Sequence, residues 1–269
     1  MIKGLRVILG TLKRLFWIYR KPSPDFCGSY TSFNQVQDEN PWVAERWIAF
    51  NRTKLEKLSL KSHELIGQSL VPKDSHIVIP AVILNLLGSG RILDFGGGTG
   101  YTYFALLGYL QRPKNYDWIV YDSNKLLYEV GQSYLLGMGV GGVRGIKFAK
   151  QLPDGIIRAI NISSTLQYIE DCYQLLGMLV DKYDPEYFFL TRTCCGEINS
   201  FITKQLVYGK ATPMRFINSR EIEDFFFGRG YEIVFKGPCG SFKSTQFFGI
   251  EKSQQISHAI DYVMRKIKD

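Results

Sequence analysis

A glycine-rich segment at residues 91–100, with the sequence RILDFGGGTG, constrains the fold of this chain more than any other feature. Ile92 and Leu93 form a short apolar run, as expected for a strand that is buried on both faces. Four glycines follow, and residues 101–110 then show the apolar face of a helix. Strand, glycine turn and helix together place backbone N–H groups and the positive end of a helix beneath a nucleotide-like ligand.

The spacing of the glycines narrows the class of ligand. The dinucleotide-binding fingerprint, G-x-G-x-x-G/A, needs a small third residue where the helix meets the strand. Counted from Gly96, that position is Tyr101, which is far too large. The sequence instead fits G-x-G-x-G at Gly96, Gly98 and Gly100, with Asp94 just upstream. The spacing therefore argues against a dinucleotide site.

The composition is that of one large α/β domain with an accessory element, because the chain has 269 residues and 45% of them are hydrophobic. Its five cysteines and three histidines form no C-x-x-C or other zinc spacing. We therefore predict neither a metal site nor a disulfide framework, which fits a reducing cytoplasm. The net charge of +8 is compatible with an anionic partner (nucleic acid, anionic lipid or an acidic glycan) or with a generic basic surface.

Residues 1–22 are predicted to form a basic amphipathic helix. Five Lys and Arg side chains cluster on one side, and apolar residues fill a wide remaining arc. The longest uncharged stretch, residues 7–12, is too short to cross a bilayer or to form the core of a signal peptide. With Trp17 and Tyr19, residues 1–21 suit an anionic membrane surface, and packing against the domain or a second subunit explains them equally well.

The rest of the chain divides into three predicted segments: a helical cap or lid at 23–90, a ligand-binding core at 91–252 and a basic C-terminal helix at 253–269. Within the core, apolar runs alternate with helical patterns, and a terminal hairpin follows, which favours a mostly parallel sheet with an antiparallel last strand. The predicted strands after the glycine turn lie at 118–122, 146–149, 156–164, 186–193, 231–235 and 246–251.

Asp122 ends the buried strand that follows the glycine turn. A carboxylate at this place, across from the turn, can accept hydrogen bonds from both ribose hydroxyls of an adenosine. The same side chain can also cap the helix predicted at 124–136, and the two roles are compatible.

These features together resemble the class I S-adenosylmethionine (SAM) methyltransferases. Asp94 and the glycines resemble the first motif of that family, and Asp122 resembles the acid that holds the ribose. Residues 163–171, SSTLQYIED, resemble the segment that lines the methionyl end of SAM and faces the acceptor. The resemblance implies a Rossmann-like class I sheet with an N-terminal helical extension, and SAM as cofactor. The residues it implies for cofactor binding are Asp94, Gly96, Gly97, Gly98, Gly100, Asp122, Ser164 and Gln167.

A second element, F-x-G-x-Y-x-S-F at residues 26–33, stands upstream of the glycine turn. Together the two elements resemble, more narrowly, a group of bacterial methyltransferases associated with surface-polysaccharide biosynthesis. This resemblance implies O-methylation of a glycan or lipid-linked saccharide in the cytoplasm, at the inner face of a membrane. Tyr30 is predicted to close over the cofactor as a lid, or else to anchor the N-terminal segment to the core.

The sequence identifies no general base. Tyr168 and Arg192 are the candidate catalytic residues, because both stand where the acceptor is expected, although packing explains Tyr168 equally well. Residues 163–166 replace the D/N-P-P-Y/F motif of amino-methylating nucleic-acid enzymes, which argues against that function. The acid common at the start of the fourth strand is replaced by Arg158 or Ala159. Two alternative functions stay open: a small-molecule methyltransferase and a catalytically inactive interaction module.

Overall fold

The computed structural model describes residues 25–65, 75–112, 115–137, 145–243 and 246–268, and the helix predicted at 1–22 lies outside them. The helices are α1 (Glu45–Leu65), α2 (Ser75–Leu87), α3 (Tyr101–Leu106), α4 (Lys125–Gly137), α5 (Cys172–Tyr183) and α6 (Ser219–Phe227). The strands are β1 (Phe26–Tyr30), β2 (Gly90–Phe95), β3 (Tyr116–Tyr121), β4 (Ile146–Ala149), β5 (Ala159–Ser163), β6 (Tyr187–Thr193), β7 (Cys195–Gly196), β8 (Phe201–Val207), β9 (Lys210–Asn218), β10 (Tyr231–Cys239), β11 (Phe247–Phe248) and β12 (Ala259–Lys266).

The main sheet has seven strands in the order β10-β12-β6-β5-β2-β3-β4. Strands β2 to β6 are parallel, and β12 is antiparallel to both of its neighbours. One apolar layer packs α5 and α6 on one side of the sheet, and another packs α2 and α3 on the other. The predicted mostly parallel sheet with an antiparallel terminal strand is confirmed.

The order of the strands reverses at β2. The chain runs from β2 outward through β3 to β4, and then returns to β5 on the other side of β2. In open α/β sheets, ligands bind in the crevice outside the carboxyl ends of the strands at such a switch point. The glycine turn and the segment after β5 both lie at this crevice.

The C-terminal segment is a strand, and the helix predicted at 253–269 is wrong. β12 lies between β6 and β10 in the interior of the sheet. Tyr262, Val263 and Met264 are buried, because helices cover both faces of the sheet. A short apolar run covered on both faces shows no alternation, so its pattern does not separate a strand from a helix. The strand predicted at 246–251 is correspondingly short (β11) and pairs with β1, so β10 has β12 as its hairpin partner.

A second, smaller sheet has the order β11-β1-β8-β9-β7 and contains no strand of the main sheet. Strands β8 and β9 form a hairpin whose turn residues, Tyr208 and Gly209, have φ values of 52° and 82°, as a type I′ turn requires. Within the helical cap or lid predicted at 23–90, residues 26–30 form a strand of this sheet, so the cap is not formed by helices and loops alone. No element was predicted for the β8–β9 hairpin.

Candidate functional site

One carboxylate ties the glycine turn to the end of β3. Asp122 Oδ2 accepts a hydrogen bond from the Gly98 amide at 2.9 Å, and Oδ1 accepts one from the Asn124 amide at 2.7 Å. Gly98 has a φ of +56°, in the left-handed region that favours glycine. Burial raises the pKa of Asp122, and the two amide hydrogen bonds oppose that shift. The glycine turn and the acid that was predicted to lie across from it are therefore in direct contact.

Asp94 lies beneath the glycine turn and is fully buried. Its Oδ1 accepts a hydrogen bond from Asn161 Nδ2 at 2.7 Å, and its Oδ2 accepts one from Trp118 Nε1 at 3.1 Å. A Cβ on Gly97 would lie 2.6 Å from Asp94 Oδ2, so the turn rests directly on this carboxylate. The structure thus places Asp94 under the turn, where it supports the backbone.

The segment after β5 faces the turn from the other side of the crevice. Thr165 Oγ1 donates a hydrogen bond to the Gly96 carbonyl at 3.4 Å. Ser164 has a φ of 53°, and its amide donates to the Thr191 carbonyl at 2.8 Å. Gln167 is buried; its Nε2 donates to Ser164 Oγ at 3.3 Å, whereas its Oε1 has no hydrogen-bond partner within the described structure.

A cavity of about 460 Å³ opens beside this segment, at the carboxyl ends of β5 and β6. Four of the residues singled out in the sequence line it: Ser164, Gln167, Tyr168 and Arg192. Tyr101, the first residue after the glycine turn, connects the cavity wall to the turn. The described residues that line the cavity include no Asp or Glu.

Tyr168 joins three parts of the fold. Its hydroxyl donates a hydrogen bond to Gln205 Oε1 of β8 at 2.7 Å. Its ring packs edge-on against Trp42, with ring centroids 4.8 Å apart, and the Trp42 carbonyl accepts a hydrogen bond from Asn124 Nδ2 at 2.8 Å. Burial raises the pKa of the Tyr168 hydroxyl well above its ordinary value, so this group stays protonated.

Arg192, the penultimate residue of β6, has an unusual backbone conformation, with a φ of 55°. Its amide donates a hydrogen bond to Oδ1 of the buried Asp261 at 2.7 Å, which holds this conformation. Cys194 and Cys239 line the cavity beside it. Burial raises the pKa of Cys194 to about 12 and raises that of Cys239 further, so both are thiols at neutral pH.

Tyr30 does not reach the cavity wall. It packs with Phe33, Val36 and Ile202 in a small apolar cluster of the second sheet, and its ring folds back over Gly28. These contacts are those expected of an anchor for the N-terminal segment.

Several residues of the cavity wall were missed in the sequence. They come from the helices α1 and α2, β8 and the loop after β10, namely Lys54, His76, Gln205 and Phe242, and Phe26 of the sequence element at 26–33 lines the cavity beside them. Only Gln205 had a local signal, because the β-rich runs on either side of Tyr208–Gly209 match a hairpin pattern. The others reach the cavity through pairings between distant parts of the chain.

Within the part of the chain that the structure describes, no cluster of three or more His, Cys, Asp or Glu side chains could hold a metal ion. Among the same residues, no helix has both the length and the apolar character needed to cross a membrane.

No protein-family model and no curated protein sequence matches this chain. Among solved structures, it is similar to a SAM-dependent methyltransferase from Clostridium acetobutylicum, with 13% identity over 80% of this chain and 99% of the other, at a TM-score of 0.50. It is also similar to magnesium protoporphyrin IX methyltransferase from Synechocystis (12%, 82% and 99%, TM-score 0.48). A third is 1,6-didemethyltoxoflavin-N1-methyltransferase from Burkholderia thailandensis (12%, 90% and 100%, TM-score 0.49). The first likeness shows that the chain has the Rossmann-like class I methyltransferase fold.

Proposed function

We propose that this chain binds SAM over the glycine turn and transfers its methyl group to an acceptor in the adjoining cavity. The observation that carries the proposal is the contact between the Gly98 amide and the Asp122 carboxylate at the switch point of the sheet. A solved structure with the same fold is named as a SAM-dependent methyltransferase, which supports the same cofactor.

The residues at the turn suit an adenosine. Each Asp122 oxygen accepts one backbone N–H, and each carboxylate oxygen retains a second lone pair for a ribose hydroxyl. Gly98 presents open space above the turn, because a Cβ there would meet no atom closer than 3.6 Å. Ser164 and Gln167 stand on the acceptor side, where the methionyl end is expected.

When bound, SAM supplies a methyl group on a positively charged sulfur. The protein then has to hold the acceptor in line with that group and to exclude water. Trp42 and Tyr168 pack together beside the crevice, and the Tyr168–Gln205 hydrogen bond holds the second sheet against the wall. These contacts give the acceptor side of the crevice a fixed wall.

Mass spectrometry tests the cofactor assignment. The protein is incubated with SAM, desalted and measured under non-denaturing conditions. We expect a complex with one SAM or S-adenosylhomocysteine (SAH) per chain, with Asp122→Ala losing most of it. A wild-type protein that retains neither compound would contradict the proposal, and would leave an inactive module with this fold.

The proposed reaction is O-methylation of a glycan or lipid-linked saccharide in surface-polysaccharide biosynthesis. The sequence element at 26–33 supports a saccharide acceptor, and so does the cavity wall, because it combines apolar rings with hydrogen-bonding groups. Phe26 and Phe242 offer apolar faces to a sugar ring, and the amides of Gln167 and Gln205 offer hydrogen-bonding groups to its hydroxyls. Incubation with SAM and a lipid-linked saccharide extract should produce a methylated saccharide. Methylation confined to compounds without sugar would instead support the small-molecule alternative.

An alcohol acceptor needs a group that takes its proton, and we assign this role to His76. Burial keeps Tyr168, Cys194 and Cys239 protonated, and no carboxylate is among the described lining residues. His76 lines the cavity, and an imidazole is the side chain best suited to accept a proton near neutral pH. His76→Gln should lower kcat by about 100-fold with SAH affinity unchanged. An unchanged kcat would contradict the assignment.

For residues 1–21 we propose binding to an anionic membrane surface on the cytoplasmic side. The support is the sequence pattern of basic and aromatic residues. Sedimentation with anionic liposomes should recover the full chain and not a chain that lacks residues 1–21. Equal recovery of both would contradict the proposal.

A further inference from the structure

The Lys, Arg, Asp and Glu side chains among the described residues of the cavity wall are all of one sign. Lys54 and Arg192 contribute cationic side chains, and the described lining residues contain no carboxylate. Lys54 is already engaged, since its Nζ lies 3.5 Å from the centroid of the Tyr101 ring. Arg192 differs, because none of the ion pairs in the described chain includes its guanidinium.

The backbone of Arg192 is built to hold its side chain at this place. A φ of 55° is costly for a residue with a long side chain, and such outliers persist only where surrounding contacts impose them. Here the contact is the hydrogen bond from the Arg192 amide to the buried Asp261 carboxylate. Asp261 also accepts a hydrogen bond from the Cys239 thiol.

A second strained residue lies on the neighbouring strand end. Ser164, after β5, has a φ of 53° and also lines the cavity. The adjoining Gln167 also lines the cavity and is 1% exposed; its Nε2 donates a hydrogen bond to the Ser164 hydroxyl, and its buried Oε1 has no hydrogen-bond partner within the described structure. A buried amide oxygen of this kind needs a hydrogen-bond donor, and a ligand hydroxyl can supply it.

We propose that the methyl acceptor is an anionic compound whose carboxylate or phosphate group binds the Arg192 guanidinium. This inference rests on the proposed methyltransferase function and narrows its substrate class. A guanidinium pairs with either group through two parallel hydrogen bonds. The anion at Arg192 and a hydroxyl near Gln167 together describe an acceptor such as a uronate or a sugar phosphate.

The main competing occupant of Arg192 is the carboxylate of the cofactor itself. The two assignments differ in what Arg192→Gln does to SAH binding. If Arg192 binds the acceptor, the affinity for SAH is unchanged in the variant. If it binds the cofactor, the affinity for SAH falls.

The test uses the full chain labelled with 15N-arginine and saturated with SAH. The Nε–Hε resonance of Arg192 is assigned by its loss in Arg192→Gln, and that of the exposed Arg220, on α6, serves as a control in the same sample. Inorganic phosphate and acetate are the two probes, so that binding of a phosphate group and binding of a carboxylate are measured separately. We expect one of them to shift the Arg192 resonance at a concentration at least about tenfold lower than it shifts Arg220.

Two results would overturn the inference. Equal sensitivity of Arg192 and Arg220 to both probes would show that the cavity does not select an anion. Weaker SAH binding by Arg192→Gln would assign the guanidinium to the cofactor and leave the proposed function intact. Absence of SAH binding by the wild-type chain is a different failure, since it removes the proposed function together with the inference.

Discussion

At the scale of single residues, Asp94 should make the stability of this protein depend on pH. Burial raises its pKa from 3.8 to about 6, although Asn161 and Trp118 donate hydrogen bonds to it. The pKa of Asp94 is higher in the folded state than in the unfolded state. Its contribution to the free energy of unfolding is therefore fully present below about pH 4 and is lost as the pH rises through about 6. The loss is at most about 3 kcal/mol.

Asp94→Asn removes this titration. The stability of the wild-type chain relative to the variant should therefore fall between about pH 4 and about pH 6, as measured by urea unfolding. Any constant cost of the substitution cancels in this comparison. A difference that is flat or rises with pH would show that folding does not raise the pKa of the Asp94 carboxyl.

The glycine turn offers a matched pair of substitutions. At Gly98 an added Cβ would lie 3.6 Å from Leu127 and 3.9 Å from Asp122, which are ordinary contact distances, so Gly98→Ala should cost about 1 kcal/mol, for the left-handed backbone alone. At Gly97 a Cβ would lie 2.6 Å from Asp94 and 2.9 Å from Val120, and Gly97→Ala should cost about 3 kcal/mol. Denaturant unfolding measures both. The reverse order would mean that the turn does not rest on the Asp94 carboxylate.

At the scale of elements, the second sheet is joined to the main fold by the hydrogen bond from Tyr168 to Gln205. Gln205→Leu leaves the Tyr168 hydroxyl without its partner and should cost about 2 kcal/mol, while Tyr168→Phe should cost about 1 kcal/mol. In the double variant the two losses should not add, with a coupling of about 1 kcal/mol. A coupling of zero would show that the two sheets are held together without this bond.

Strand β12 is the element on which the order of the main sheet depends. Deleting residues 259–269 opens the sheet between β6 and β10 and removes the buried Tyr262 and Met264, so that chain should lose cooperative unfolding. A chain ending at Ile267 keeps the strand and the hydrogen bond from its amide to Gly230, and serves as the control. Cooperative urea unfolding of the chain that lacks residues 259–269 would show that the main sheet forms without β12, and would contradict the prediction.

The strands that the sequence predicted well are those with strong local signals. Trp118 and its apolar neighbours form a continuous buried run in β3, and the glycine turn marks the end of β2. The missed elements depend on distant pairings: Phe26 in β1 pairs with Gln205 in β8, far away in the chain. Local patterns carry no information on such pairings, and so the second sheet could not be derived from them.

The same difference between local patterns and distant pairings explains which parts of the site could be predicted from the sequence. The Gly98–Asp122 contact follows from a motif and the adjacency of two parallel strands, which sequence spacing predicts well. The cavity wall instead draws Phe26, His76 and Phe242 from three distant segments. The glycine turn and its carboxylate were therefore predictable, whereas the part of the cavity wall that distant segments supply required the structure.

At the scale of the whole molecule, the chain combines a seven-stranded α/β sheet with a five-stranded accessory sheet. The first provides a switch point with a glycine turn and a carboxylate. The second supplies Phe26 and Gln205 to the wall of the cavity beside that point. This division places the proposed cofactor on the main sheet and the acceptor where the two sheets meet.

The affinity for SAH tests the central claim most directly, with the two aspartates at opposite ends of β3 as a matched pair. Asp122 follows the carboxyl end and contacts the glycine turn, whereas Asp117 lies near the amino end and pairs with Lys147 at 2.8 Å. In calorimetric titrations the wild-type chain and Asp117→Ala should bind SAH alike, and Asp122→Ala should bind at least about tenfold more weakly. Absence of binding by the wild-type chain, or equal binding by both variants, would contradict a SAM site at the glycine turn.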